Sequence, residues 1–174
     1  MKRKSKPLLT FIDGLEDYVD RYELRPKKTQ GTSEAAIQAE YQAIFRDYLE
    51  DYFRTAGYKE VKAKVKEVFY WEGQDRPNRD KRTEVFASRN YPDFIIREPY
   101  RIAVEYKQSD SGALVKQGIG QAMMHILSED YDFVYLLFDD QTKGKEIRDS
   151  MKNPKEQAIA KRIWDDFNIK LHIV

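Results

Sequence analysis

With 174 residues, 35% of them charged, and a net charge of only +1, the chain is long enough to bury one core and too short for two comfortable ones. It contains no cysteine, which excludes a disulfide framework and a thiolate zinc site. No apolar run in the sequence approaches the roughly 18 residues of a membrane span, and the basic start is not followed by a signal-peptide apolar region. A soluble, intracellular (cytoplasmic) protein with no membrane partner is expected.

The first cations, Lys2, Arg3, Lys4 and Lys6, read as a disordered basic tail over 1–7, and Arg25, Lys27 and Lys28 form a second cluster. From Ser33 to Thr55 the apolar residues fall at 37, 41, 44, 45, 48, 49, 52 and 53, a spacing that predicts a long amphipathic helix. Ser33 or Thr32 supplies its N-cap, Glu34 lies in the first turn where a carboxylate suits the helix dipole, and Gly57 marks the stop. Residues 61–71 read as a strand. The polar stretch 73–90 that follows is long for a loop in a compact domain and carries Arg76, Arg79, Lys81, Arg82 and Arg89, so it reads as a flexible, cationic loop suited to a phosphate backbone.

Residues 94–96 and 102–106 are β-branched or aromatic apart from Ala103 and Glu105, and the REPYR segment between them supplies a turn around Pro99. Side chains alternate along a strand, so Glu105 and Lys107 share one face while Ile102, Val104 and Tyr106 share the other. Antiparallel pairing across so short a turn would bring Asp93 beside Glu105 and Lys107. Two carboxylates and an ammonium in one pocket suit phosphodiester hydrolysis. Hard oxygen ligands hold Mg²⁺, or Mn²⁺ in its place, the metal lowers the pKa of a bound water, and the lysine orients that water or stabilises an oxyanion.

Further on, residues 112–128 read as a helix despite Gly118 and Gly120, and glycines there imply close packing or close approach. Residues 132–138 (DFVYLLF) form an apolar run of the kind found in a central strand covered on both faces. A loop or short helix over 139–153 precedes a helix started by Asn153 and Pro154 and running to about Phe167, with Ala158, Ile159, Ile163, Trp164 and Phe167 on one stripe. The chain ends on IKLHIV, a short strand. His125 and His172 are too few and too isolated for a histidine metal cluster and read as helix-face and strand-face residues.

The ordered pattern of Pro92-Asp93, then eleven residues, then Glu105-x-Lys107 resembles the signature of the PD-(D/E)xK nuclease superfamily, and the resemblance covers roughly residues 33–138. It implies a restriction-endonuclease-like α/β fold, a mixed β-sheet flanked by α-helices, as one domain over 1–174 with its core at about 33–138. It also implies a metal-dependent DNA endonuclease, in which Asp93 and Glu105 bind Mg²⁺ and Lys107 positions the water. An acidic residue on the long helix would complete the metal site; Glu40 is the first choice, with Glu34 and Glu50 as alternatives. A polar residue on the helix after the lysine would face the site, with Gln121 the best match and Lys116 and Gln117 as alternates; Lys116 would also serve DNA binding. The same analogy implies a homodimer and a role in restriction, junction resolution, intron homing, or phage or mobile-element recombination. The competing expectation is a noncatalytic nucleic-acid-binding or assembly module that keeps the fold.

Overall fold

The computed structural model describes residues 4–21, 33–71, 83–85 and 88–174. In chain order the elements are α1 (Lys6–Arg21), α2 (Glu34–Thr55), α3 (Val61–Val68), β1 (Phe69–Trp71), β2 (Thr83–Val85), β3 (Ser88–Asn90), β4 (Phe94–Ile96), β5 (Ile102–Ser109), α4 (Gly112–Leu127), β6 (Phe133–Asp140), α5 (Glu146–Ser150), α6 (Pro154–Phe167) and β7 (Ile169–Ile173). This is an α/β protein built on a five-stranded mixed sheet of order β1-β4-β5-β6-β7. The pairs β1/β4 and β4/β5 are antiparallel, and β5/β6 and β6/β7 are parallel. Parallel neighbours need crossover connections, and α4 and α6 supply them.

Each face of the sheet has its own core. On one, Ile102, Val104 and Tyr106 of β5 and Tyr135 and Leu137 of β6 pack with α1, α2 and α3; on the other, Ala103, Val134, Leu136 and Ile169 pack with Ala122, Ile119 and Met123 of α4 and Ile163 of α6. All eight residues of β6 are buried, which explains its uninterrupted apolar run. The strand continues through Asp139 and Asp140, two residues past the predicted end, because these pair with Gln108 and Ser109 and Asp140 N donates to Val174 O.

Helix α2 follows the sequence closely. Ser33 Oγ accepts from Ala36 N, Ile37, Tyr41, Ile44, Phe45, Tyr48, Leu49 and Phe53 are buried along one stripe, and Gly57 takes φ +85° just beyond the end, a conformation that favours glycine. Phe45 lies at the centre, with rings of Phe94 at 5.1 Å and Tyr135 at 6.4 Å; truncating such a residue costs about 3–5 kcal/mol.

Three elements depart from the sequence reading. The segment 61–68 is helix rather than strand, with the strand confined to Phe69–Trp71. Its Val-Lys alternation suggests a period of two, yet Val61, Val65 and Val68 also lie at i, i+4 and i+7, and that is the set in contact with the core. Before α2 stands α1, which the reading of a basic tail passed over. It buries Leu8, Phe11, Ile12, Leu15 and Val19, and Gly14 leaves room for Tyr48, whose Oη would lie 3.0 Å from a Cβ at that position. Lys4 Nζ donates to Asp165 O at 3.0 Å. Finally, α6 has no fully buried residue: Ile163 and Trp164 meet the cores, while Ile159 and Phe167 of the expected stripe are 45% and 43% exposed. Within the stretch 73–90, Thr83–Val85 and Ser88–Asn90 pair as a small antiparallel hairpin.

Candidate active site

The β4–β5 hairpin aligns Phe94 with Val104, so Asp93, one residue before β4, stands opposite Glu105. Its carboxylate is pinned on both oxygens: Oδ2 accepts from Tyr106 N at 2.7 Å and Oδ1 from Gln38 Nε2 of α2 at 3.0 Å. Glu105 is 2% exposed. Its Oε2 lies 3.4 Å from Lys107 Nζ and its Oε1 lies 2.5 Å from Nε2 of His125 on α4. Glu105 and Lys107 thus share the α4 face of β5, and Tyr106 points away, its ring 5.2 Å from that of Tyr41.

Burial and the neighbouring Glu105 charge push the Asp93 carboxyl up to about 7, against the opposing pull of the Tyr106 N–H and the Lys107 ammonium; the charge of Glu34, at the start of α2, adds to the upward push. Once Asp93 is ionised, two carboxylates face one ammonium and the corner is short of positive charge.

Helix α4 doubles back over β5 and lays three positions along the charged face. At the level of Lys107 stands Gly118, where a Cβ would come 3.4 Å from Lys107 Cγ and 3.0 Å from Leu136 Cδ1. At the level of Glu105 stands His125, 0% exposed. Gln121 lies between them, one helical turn from each, and among the described residues its buried Oε1 has no hydrogen-bond partner. Gly120, by contrast, faces open space, so the close approach expected of the two glycines applies to Gly118 alone. Lys116 and Gln117 are exposed.

On α2, Gln38 is the side chain that touches Asp93. Glu40 is exposed and lies elsewhere on the helix surface, where its charge acts on Tyr41. Glu50 lies 4.0 Å from Arg54 Nη2. Of the three glutamates weighed from sequence, Glu34 is the one whose charge reaches Asp93. Arg76, Arg79, Lys81 and Arg82 fall outside the described residues; Arg89 belongs to β3, where its Cα pairs with Glu84. Tyr91 is half-buried beside Pro92.

Two contributors were not legible as site residues. Gln38 has no motif around it and is selected only by where α2 crosses β4. His125 read as an isolated histidine because nothing in the sequence joins position 125 to position 105; the link appears once α4 is known to run back over β5.

Comparison with protein-family models, with curated proteins and with solved structures finds no match. Among the described residues no three His, Cys, Asp or Glu side chains are grouped as a metal site. The oxygens that are present, from Asp93 and Glu105, with the unpartnered Oε1 of Gln121 on α4, are all hard donors, and once Asp93 is ionised their negative charge fits Mg²⁺ or Mn²⁺ better than a softer metal. Asp93 and Glu105 would hold such an ion, leaving most of its coordination to water and substrate.

Proposed function

We propose that this protein is a Mg²⁺-dependent nuclease of the PD-(D/E)xK kind, acting on phosphodiester bonds of DNA. The observation that carries the proposal is the convergence of Asp93, Glu105 and Lys107 at one corner of the sheet: Asp93 stands opposite Glu105 and feels its charge, and the Lys107 ammonium lies 3.4 Å from Glu105 Oε2. A bound divalent cation would neutralise charge on the phosphate and make a water acidic enough to attack at neutral pH. Lys107 holds its ammonium against Glu105 and either orients the attacking water or stabilises the charge that builds on the phosphate oxygens. Gln38 and the Tyr106 N–H fix the orientation of Asp93, and Gln121 offers an oxygen to a water. DNA as substrate and a homodimer that cuts both strands rest on the superfamily resemblance.

The second reading, a noncatalytic nucleic-acid-binding module, is favoured by one observation: both oxygens of Asp93 already accept protein hydrogen bonds, as a purely structural carboxylate would. Cleavage separates the two. Supercoiled plasmid, linear duplex, single-stranded DNA and a four-way junction are incubated with Mg²⁺ or Mn²⁺, comparing wild type with Asp93→Ala and Lys107→Ala. Metal-dependent cutting that falls by about 10²–10⁴-fold in Lys107→Ala is the expected outcome, with a loss at least as large in Asp93→Ala. Binding without cutting on every substrate would select the module.

A further inference from the structure

We infer that His125 is the positioning residue of the Glu105 carboxylate: its Nε2–H holds Oε1 and so leaves Oε2 as the oxygen presented to the cation and to Lys107. This rests on the metal-nuclease reading of the same corner and adds to it a residue that neither the motif nor its spacing contains.

The geometry assigns the role in three steps. Glu105 sits on a strand at 2% exposure, where a carboxylate swinging among rotamers would find no water to compensate each position. Its Oε1 lies 2.5 Å from His125 Nε2 while Oε2 lies 3.4 Å from Lys107 Nζ, so the two oxygens face different partners. A Glu105 that binds a cation is ionised and its oxygens only accept, so in that state the proton between Glu105 and His125 belongs to Nε2.

The imidazole is itself held rigidly. It is 0% exposed, the ring of Tyr131 packs against it edge-on with centroids 5.7 Å apart and an interplanar angle of 84°, and Ser128 Oγ donates to its backbone carbonyl at 2.8 Å. Among the described residues Nδ1 has no hydrogen-bond partner, so the ring's one directed interaction is with Glu105. A buried histidine kept for packing alone would leave both nitrogens to chance; this one is aimed. A donor that fixes a ligating carboxylate raises metal affinity, and losing such a donor typically costs about 10–100-fold.

The test compares His125→Ala, His125→Gln and His125→Asn with wild type. The glutamine amide nitrogen reaches about as far from the backbone as imidazole Nε2, whereas the asparagine nitrogen reaches only as far as Nδ1. Glutamine therefore restores the donor to Glu105 and asparagine, equally polar, does not. Thermal melting in EDTA first verifies that each variant folds; the rise in melting temperature during a Mg²⁺ titration then reports metal affinity without any reference to turnover, and plasmid cleavage against Mg²⁺ reports it a second time. The half-saturating Mg²⁺ concentration should rise about 10–100-fold in the alanine and asparagine variants and stay within about threefold of wild type in the glutamine variant. Should the alanine variant fail to fold, the glutamine and asparagine pair decides alone. The inference is overturned if folded alanine or asparagine variants saturate as wild type does, or if folded His125→Gln is as weak as His125→Asn. Those results leave a metal-binding wild type and hence the nuclease reading standing; a wild type with no saturable Mg²⁺ response removes both.

Discussion

Two acidic pairs share this sheet, and one carboxyl of each is shifted, Asp140 downward and Asp93 upward. Asp139 and Asp140 end β6. Burial alone would raise the Asp140 carboxyl, but hydrogen bonds from the Thr142 hydroxyl and from the Arg148 and Thr142 N–H groups, with the nearby Lys145, bring it below its usual value. Asp139, 0% exposed, accepts from Tyr106 Oη at 3.1 Å, and its other oxygen lies 3.8 Å from Lys145 Nζ. At the other corner Asp93 and Glu105 also collect donors, yet Asp93 is pushed up to about 7 by burial and by its partner's charge. Asp140, which serves the fold, gathers donors until its ionised form is favoured. Asp93, raised by burial and by its partner's charge with one ammonium nearby, is a carboxyl whose ionised form another cation would stabilise.

The largest effect that would sharpen this contrast is a pH dependence. Folded Asp93 keeps its proton up to about pH 7, while the unfolded residue releases it near its usual 3.8. Between those values the native state carries more protons, so in the metal-free protein this contribution is fully present below about pH 4 and disappears as the pH rises through about 7, by no more than about 4 kcal/mol. Asp140 acts with the opposite sign, since its lowered carboxyl stabilises at higher pH and that stability is lost on acidification. Urea unfolding of wild type and Asp93→Asn across this range should give a stability difference that shrinks with rising pH in favour of the variant. A constant difference would place Asp93 in the same class as Asp140.

A smaller effect tests the other corner. Asp140→Ala removes the acceptor for Thr142 N, Thr142 Oγ1 and Arg148 N, and should cost about 1–3 kcal/mol of stability while leaving cleavage per folded molecule within about twofold of wild type. Loss of cleavage beyond that in a folded variant would mean that the two corners work together, and the contrast would fail.

How much of this was legible in the sequence differs by element for physical reasons. Helix α2 and strand β6 could be read because one carries a 3.6-residue stripe and cap signals and the other is buried on both faces. The pairing of Asp93 with Glu105 could be read because a short hairpin fixes register locally. Helix α3 could not, since Val61 and Val65 fit both periods and the choice between them is made by the core they meet. The signal for α1 is present in the helical spacing of Leu8, Phe11, Ile12, Leu15 and Val19, beyond the basic tail expected over 1–7. The second layer of the corner, Gln38 and His125, depends on where α2 and α4 cross the sheet, which is tertiary information with no local trace. The same holds for Glu40: periodicity set it beside the buried stripe, and the crossing point of α2 leaves it exposed.

The most direct test of the central claim is thermal melting with and without Mg²⁺ or Mn²⁺, above the pH at which Asp93 ionises, for wild type, Asp93→Ala and Asp140→Ala. A cation that binds only the folded protein stabilises it by about 2.7 kcal/mol at a concentration one hundred times its dissociation constant. That shift is expected in wild type and in Asp140→Ala and is lost in Asp93→Ala. No shift in wild type, or an equal shift in Asp93→Ala, would contradict that claim.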